Sequence, residues 1–150
     1  MAEYIISTDT SCDFPLEYVK QHQLPLVTLF YSIDGVTGEN GCPSSDVLKN
    51  FYDKMRAGSM TKTQQASIED TEKIFREILK EGKDILHLTL SSGISGVINS
   101  AKIAQSMMQE KYPDRKIYVI DSLAASSGYG LLMDKLADLR DEGKSIDEVY

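Results

Sequence analysis

Three serines and two glycines fall within six residues, Ser91-Ser92-Gly93-Ile94-Ser95-Gly96, where the apolar run Ile85-Leu86-His87-Leu88-Thr89-Leu90 gives way to a helical pattern. The first backbone N–H groups of a helix have no partner inside it, and they carry the positive end of its dipole. Glycines let the backbone approach a bound group, and hydroxyls surround that group. This residue set makes an anion pocket for a carboxylate or a phosphate. The plainer alternative is that serine caps the helix and glycine makes the turn. Further hydroxyl-rich stretches follow other apolar runs: Thr8-Asp9-Thr10-Ser11, Asp121-Ser122, and the polar stretch 61–67 just before a helix.

Familiar catalytic arrangements are missing from the sequence. Asp9-Thr10-Ser11 lacks the second Asp of haloacid-dehalogenase phosphatases, because Ser11 stands in its place. Cys12 lacks the Arg that cysteine phosphatases need six residues on, where this chain has Tyr18. Gly93-Ile94-Ser95-Gly96-Val97 misses the G-x-S-x-G elbow at Val97. A serine hydrolase also needs a histidine base. His22 lies on a surface-type helix, and His87 reads as a core residue inside a strand. No phosphate loop and no dinucleotide fingerprint occurs. Hydroxyls that converge without a base suit binding better than catalysis.

Strands and helices alternate around these clusters. Strands are predicted at 4–7, 24–31, 85–90 and 116–120. Helices are predicted at 15–22, capped by Asp13; from Ser44 or Ser45 to Gly58; and at 68–80, 95–111 and 126–142. Apolar residues at helical spacing give core faces. They are Val47, Leu48, Phe51, Tyr52 and Met55 in one helix, Ile74, Phe75, Ile78 and Leu79 in the next, and Leu131, Leu132, Leu136 and Leu139 near the end. Asp34-Gly35 reads as a turn, and residues 59–67 as a polar loop. Ser145-Ile146-Asp147-Glu148 opens a further helix with a capping box. The alternation predicts a three-layer α/β/α fold with a mainly parallel sheet. Ligands of such sheets sit beyond the carboxyl ends of the strands, where the polar clusters fall.

The bulk numbers narrow the class. A chain of 150 residues, 41% hydrophobic and 26% charged, fits one globular domain. A net charge of −7 disfavours nucleic acid and anionic membranes as partners. No apolar run is long enough for stable membrane insertion. Met1-Ala2-Glu3-Tyr4 has no basic region, so no signal peptide is expected and a cytoplasmic location follows. Cys12 and Cys42 read as reduced thiols, and no metal site is expected from them.

Four blocks together resemble the DegV family: Ile5-Ile6-Ser7-Thr8-Asp9-Thr10-Ser11-Cys12-Asp13; Lys62-Thr63-Gln64-Gln65-Ala66-Ser67; Leu90 through Gly96 with Asn99-Ser100-Ala101; and Asp121-Ser122 with Ala125-Ser126-Ser127-Gly128-Tyr129-Gly130. In the second block Gln64 and Ala66 stand where the family's Thr-Ser-Gln-Pro-Ser has Ser and Pro. The resemblance implies a fatty-acid-binding protein of two α/β domains, not an enzyme, with no cofactor. It implies a carrier that presents a long-chain fatty acid to a fatty acid kinase for phospholipid synthesis. Carried over by position, Thr63 and Ser95 are the carboxylate ligands, with Ser92 next. Gly93, Gly96, Ser67 and Ser11 support them. The alternative that the resemblance leaves is a phosphoryl-transfer subunit related to dihydroxyacetone kinase, which would need grouped metal-binding carboxylates. Asp9, Asp13 and Asp121 are the acids available for that role.

Residues 1–144 are expected to form the N-terminal domain of this two-domain family, and 145–150 to start the connection to a second domain. The family's further carboxylate-binding His or Arg would lie in that second domain. Burying about 14 methylenes contributes roughly 11 kcal/mol before binding costs, at about 0.8 kcal/mol each. A charged hydrogen bond adds about 1.5–3 kcal/mol. The tail is therefore expected to supply affinity and the hydroxyls to fix the head. One domain offers only one wall for such a tail, so weak binding and self-association through the exposed wall are expected of this stretch alone.

Overall fold

The computed structural model describes residues 4–150. In chain order the elements begin with β1 (Tyr4–Asp9), a 3-10 turn (Thr10–Cys12), α1 (Leu16–Gln21), β2 (Leu26–Val27), β3 (Leu29–Ile33), β4 (Val36–Asn40) and α2 (Ser45–Arg56). They continue with β5 (Thr61–Gln64), α3 (Ile68–Lys80), β6 (Asp84–Thr89), α4 (Val97–Lys111), β7 (Ile117–Asp121), α5 (Ser126–Asp141) and α6 (Ile146–Val149).

Strand alternation builds the three layers. The parallel sheet runs β2-β1-β6-β7. Tyr4, Ile6, Leu86 and Leu88 face α1, α5 and α6, packing on Val19, Tyr129, Met133 and Ile146. Ile85, Ile117 and Val119 face α3 and α4, packing on Phe75, Ile78, Ala101 and Met108. Both faces are covered, so successive strand residues are apolar on both sides. His87 belongs to this core. It is buried, bonded through Nδ1 to the Ser7 hydroxyl at 2.8 Å and set edge-on to Phe75 at 5.1 Å.

A second, antiparallel sheet, ordered β4-β3-β5, was not expected. The run 24–31 is two strands instead of one: β2 adds to β1, and after Thr28 β3 leaves for the other sheet. Asp34-Gly35 makes the expected turn, with φ of 50° and 82°, in the two-residue β3–β4 hairpin. The polar stretch at 61–64 is β5, not loop. Its residues are polar because the strand is largely exposed, so the alternation that marks a half-buried strand is missing.

Two expected core faces and one expected cap change. On α2 no residue is buried, and Val47, Leu48, Tyr52 and Met55 stay exposed. On α5 the core face is Tyr129, Gly130, Met133 and Ala137, while Leu131 and Leu132 face solvent. That helix carries two apolar stripes, and only one of them brings a tyrosine hydroxyl to the buried strand ends. Asp13 does not cap α1. It sits in the left-handed region at φ 56°, closing the 3-10 turn, and Pro15 takes the N-cap position. The capping box at Ser145 and Glu148 forms as expected, and Ile146 packs into the core.

Candidate functional site

From β1 the chain passes to β2 on one side and, after the antiparallel excursion, to β6 on the other. The crevice beyond the carboxyl ends of β1 and β6 is therefore the topological switch point, where α/β sheets place ligands. The last residue of β1, Asp9, is fully buried there. Its Oδ1 accepts the Ser11 N–H at 3.0 Å and also the Ser11 hydroxyl. Its Oδ2 accepts the Leu90 N–H at 2.9 Å, across the gap to the end of β6. Burial pushes this carboxyl above its ordinary pKa, while the Ser11 and Leu90 donors pull it back. Beneath it, the Thr8 and Tyr129 hydroxyls bond to each other and to the Leu88 carbonyl, at 3.0 and 2.6 Å respectively. The two hydroxyl protons fill two of these three contacts at a time: one goes to the Leu88 carbonyl and the other to the neighbouring hydroxyl oxygen.

The serine–glycine loop closes largely on itself. Ser91 O accepts N–H bonds from Ile94 at 3.0 Å and Ser95 at 3.1 Å, and its hydroxyl accepts the Gly93 N–H at 3.2 Å. The Ser91 N–H reaches the Ala124 carbonyl at 3.1 Å. The Ser92 N–H reaches Asp121 Oδ1 at 3.1 Å, and the Ser92 side chain and N–H hold that carboxyl below its usual range. The helix starts at Val97, two residues later than expected, with Gly96 at the N-cap. The open row of amides expected at the helix start is thus mostly spent inside the loop. The Ser95 hydroxyl makes the same kind of bond as that of Ser91 but is only half-buried. It accepts the Val97 N–H at 3.2 Å, which leaves its own proton to donate outward.

The other candidate arm is β5. Gln65 follows it, and a Cβ placed on Gly96 would come within 2.8 Å of Gln65 Oε1. A side chain there would have to push this flexible amide end aside. The Gln65 amide also donates to the Ser100 hydroxyl at 3.2 Å, on α4. Ala66, fully buried, packs with Val27, Leu90 and Val97 under the same rim. The end of β5 is thereby docked beside Ser95. Thr63 pairs with Tyr31 on β3 and is exposed, and its hydroxyl has no hydrogen-bond partner among the described residues. It stands on the lip of a mainly apolar cleft of about 290 Å³, walled by Leu29, Phe30 and Tyr31 of β3 and by Leu48, Phe51 and Tyr52 of α2, with Asp13 and Glu39 also on its lining.

The remaining predicted residues take other duties. Ser67 caps α3 in a reciprocal box with Asp70, so its hydroxyl is engaged. Ser11 donates to Asp9. Gly93 lies in the turn, and an added Cβ there would meet only Ser91 Oγ at an ordinary 3.5 Å. Asp9, Gln65 and Tyr129 make buried or bridging contacts at this rim; sequence reasoning placed Asp9 in a polar cluster and all three in the resemblance blocks, but gave Gln65 and Tyr129 no part in the site and considered Asp9 only as an acid. A buried Asp at a strand end has no periodic signature. Tyr129 lay within a block already quoted for the resemblance, but nothing in the sequence pointed its hydroxyl inward.

Burial pushes the Cys12 thiol up to about 12, with Asp9 and Asp13 adding to the rise, so it is a poor nucleophile. Burial pulls His87 down to about 3, which makes it a neutral core residue. Asp9 spends both carboxylate oxygens on protein donors, and Asp121 spends Oδ1 on the Ser92 and Leu123 N–H groups. Among the described residues no group of three or more His, Cys, Asp or Glu is placed to hold a metal ion. No described helix is long and apolar enough to cross a membrane.

A family model described as "Uncharacterised protein, DegV family" matches residues 4–150. A DegV domain-containing protein of Clostridium perfringens is 38% identical over the whole chain and 52% of its own length. A fatty acid (stearic acid)-binding protein from Eubacterium ventriosum superposes with a TM-score of 0.87 at 30% identity, over 97% of this chain and 50% of that one. The Streptococcus pneumoniae Fatty Acid Kinase (Fak) B3 protein loaded with linoleic acid gives a TM-score of 0.80 at 29% identity, over 99% and 52%. The chain spans about half the length of the curated relatives it matches.

Proposed function

The chain belongs to the DegV family, and we propose that it forms the head-group half of a fatty-acid carrier. The Thr63 and Ser95 hydroxyls hold the carboxylate. The apolar cleft between β3 and α2 receives the adjoining part of the acyl chain. The observation that carries this reading is Thr63 on the lip of that cleft, with Gln65 docked on Gly96 beside Ser95. Both hydroxyls keep a proton to donate, whereas those of Ser11 and Ser67 are spent. Ser92, tied to Asp121, borders the same rim.

Donors alone hold a carboxylate without transforming it, which suits a carrier instead of an enzyme. The described relatives that bind stearic and linoleic acid support the substrate class. The second of them supports a fatty acid kinase as the partner to which the carboxylate is presented, and such a pairing operates in the cytoplasm, where a phosphoryl donor is available. A cleft of about 290 Å³ lies at the small end of the roughly 300–1,000 Å³ of ligand pockets. The rest of a long tail therefore needs a further wall. Ile94, Leu123 and Leu131, exposed on the segments following β6 and β7, offer apolar surface for one. Organic extraction of the purified protein followed by mass spectrometry tests the reading. A long-chain fatty acid is expected, retained or taken up on titration, and held less tightly by residues 1–150 alone than where a further wall covers the tail. Lipid-free protein that also fails to take up fatty acid on titration would refute it.

A further inference from the structure

Two hydrogen bonds leave the same corner of the chain in opposite directions. Asp9 Oδ2 accepts the Leu90 N–H at 2.9 Å. The next residue, Thr10, accepts the Leu29 N–H on its hydroxyl at 3.0 Å. Leu90 leads directly into Ser91, whose carbonyl holds the Ser95 N–H at 3.1 Å. Leu29 opens β3, which pairs Tyr31 with Thr63. One arm carries Ser95 and the other carries Thr63. We infer that the Asp9–Thr10 corner positions both arms: Asp9 sets the Ser95 arm, Thr10 sets the Thr63 arm, and together they fix the spacing of the two carboxylate donors. The inference rests on the carboxylate site proposed above, which neither Asp9 nor Thr10 touches.

The chemistry of the corner supports a positioning role. A buried carboxylate is costly unless every oxygen is bonded, and Asp9 meets that condition only because two strand ends and the Ser11 turn converge on it. If the Leu90 arm shifted by an ångström or so, Oδ2 of a buried carboxylate would be left without a donor, so the carboxylate resists displacement more strongly than a neutral contact would. Thr10 is likewise buried, with its hydroxyl as the partner of a backbone N–H at the point where the chain leaves the parallel sheet. By taking up the Leu90 and Ser11 donors and adding negative charge, Asp9 also closes the β1 corner to the ligand's carboxylate. That directs the head group toward Thr63 and Ser95.

Coupling between substitutions in the intact protein tests the assignment. Asp9→Asn keeps the size but turns one acceptor into a donor that faces Leu90 or Ser11. Thr10→Val keeps the shape and removes the acceptor for Leu29. Each is expected to weaken oleate binding about tenfold or more, and Thr10→Ser is expected to restore it. The losses should be selective: Asp9→Asn adds little to Ser95→Ala but adds fully to Thr63→Val, and Thr10→Val shows the reverse. Ser7→Ala, which removes the buried Ser7–His87 bond in the same pair of strands, is expected to lower the unfolding midpoint and leave oleate affinity unchanged. Unchanged affinity in Asp9→Asn and Thr10→Val overturns the inference while leaving the carrier reading intact. So does additivity of each with every partner. An unsubstituted protein that binds no oleate overturns both.

Discussion

The parallel sheet and the antiparallel excursion with α2 are built to opposite standards. At the ends of β1 and β6, Thr8, Asp9, Thr89 and Tyr129 are fully buried and bonded to specific partners. On α2 no residue is buried, although its apolar residues recur at helical spacing. Close packing and satisfied polar groups make the first region rigid. In the second region, Phe51 meets Tyr31 edge-on at 5.0 Å, while Leu48 and Tyr52 line a cleft instead of a core. A head group needs donors at fixed positions, whereas a hydrocarbon chain needs only apolar surface, which is non-directional. The molecule therefore places precision where direction matters and adaptability where only area matters.

The largest expected contrast is in core truncation. Phe75→Ala, at a fully buried position, should cost about 3–5 kcal/mol. Leu48→Ala on the cleft wall should cost about 0.5 kcal/mol or less yet weaken oleate binding. Denaturant unfolding paired with oleate titration reads both, and equal stability losses would erase the distinction between the two regions.

Acid comes next, and it should act on the rigid region. His87 is held neutral, with its pKa brought from 6.5 to about 3 by burial. Below pH 6.5 the unfolded chain takes up a proton there that the folded chain refuses. Stability should therefore fall as pH drops from about 6.5 to about 3, by at most about 1.4 kcal/mol per pH unit. Unfolding curves across that range should be flatter in His87→Gln. An equally steep acid limb in that variant would mean that other groups drive the loss.

The head-group donors should separate binding from folding. Thr63→Val and Ser95→Ala should each raise the oleate Kd about tenfold with stability unchanged within about 0.5 kcal/mol. If neither variant changes affinity, these hydroxyls are not the ligands. The smallest effect concerns the seam between the regions. Gly96→Ala presses on Gln65 Oε1 at 2.8 Å, a flexible side-chain end, and should cost about threefold in affinity, under about 1 kcal/mol. Gly93→Ala meets only an ordinary contact and should be silent by the same titration.

Much of the architecture was legible from the sequence. The alternating apolar runs and helical stripes determined the parallel sheet, the layers of helices and the rim at which hydroxyls collect. Helix α3 falls at 68–80 as expected, because its pattern is strong and Ser67 and Asp70 cap it locally. These are local or periodic properties, and a linear sequence displays them directly. Burial direction was legible only where one stripe was apolar. On α5 two stripes competed, and on α2 the apolar stripe faced a cleft, so periodicity could not say what lay opposite. The break after Val27 and the exposed β5 were hidden for the same reason: strand pairing is chosen by a partner far along the chain. Only the tertiary structure decided which hydroxyls remain free to donate. Ser11, Ser67 and Ser95 look alike in sequence, yet Asp9 takes the first, Asp70 the second, and the third keeps its proton. A hydroxyl's availability depends on where its partner sits, and that partner is set by the fold.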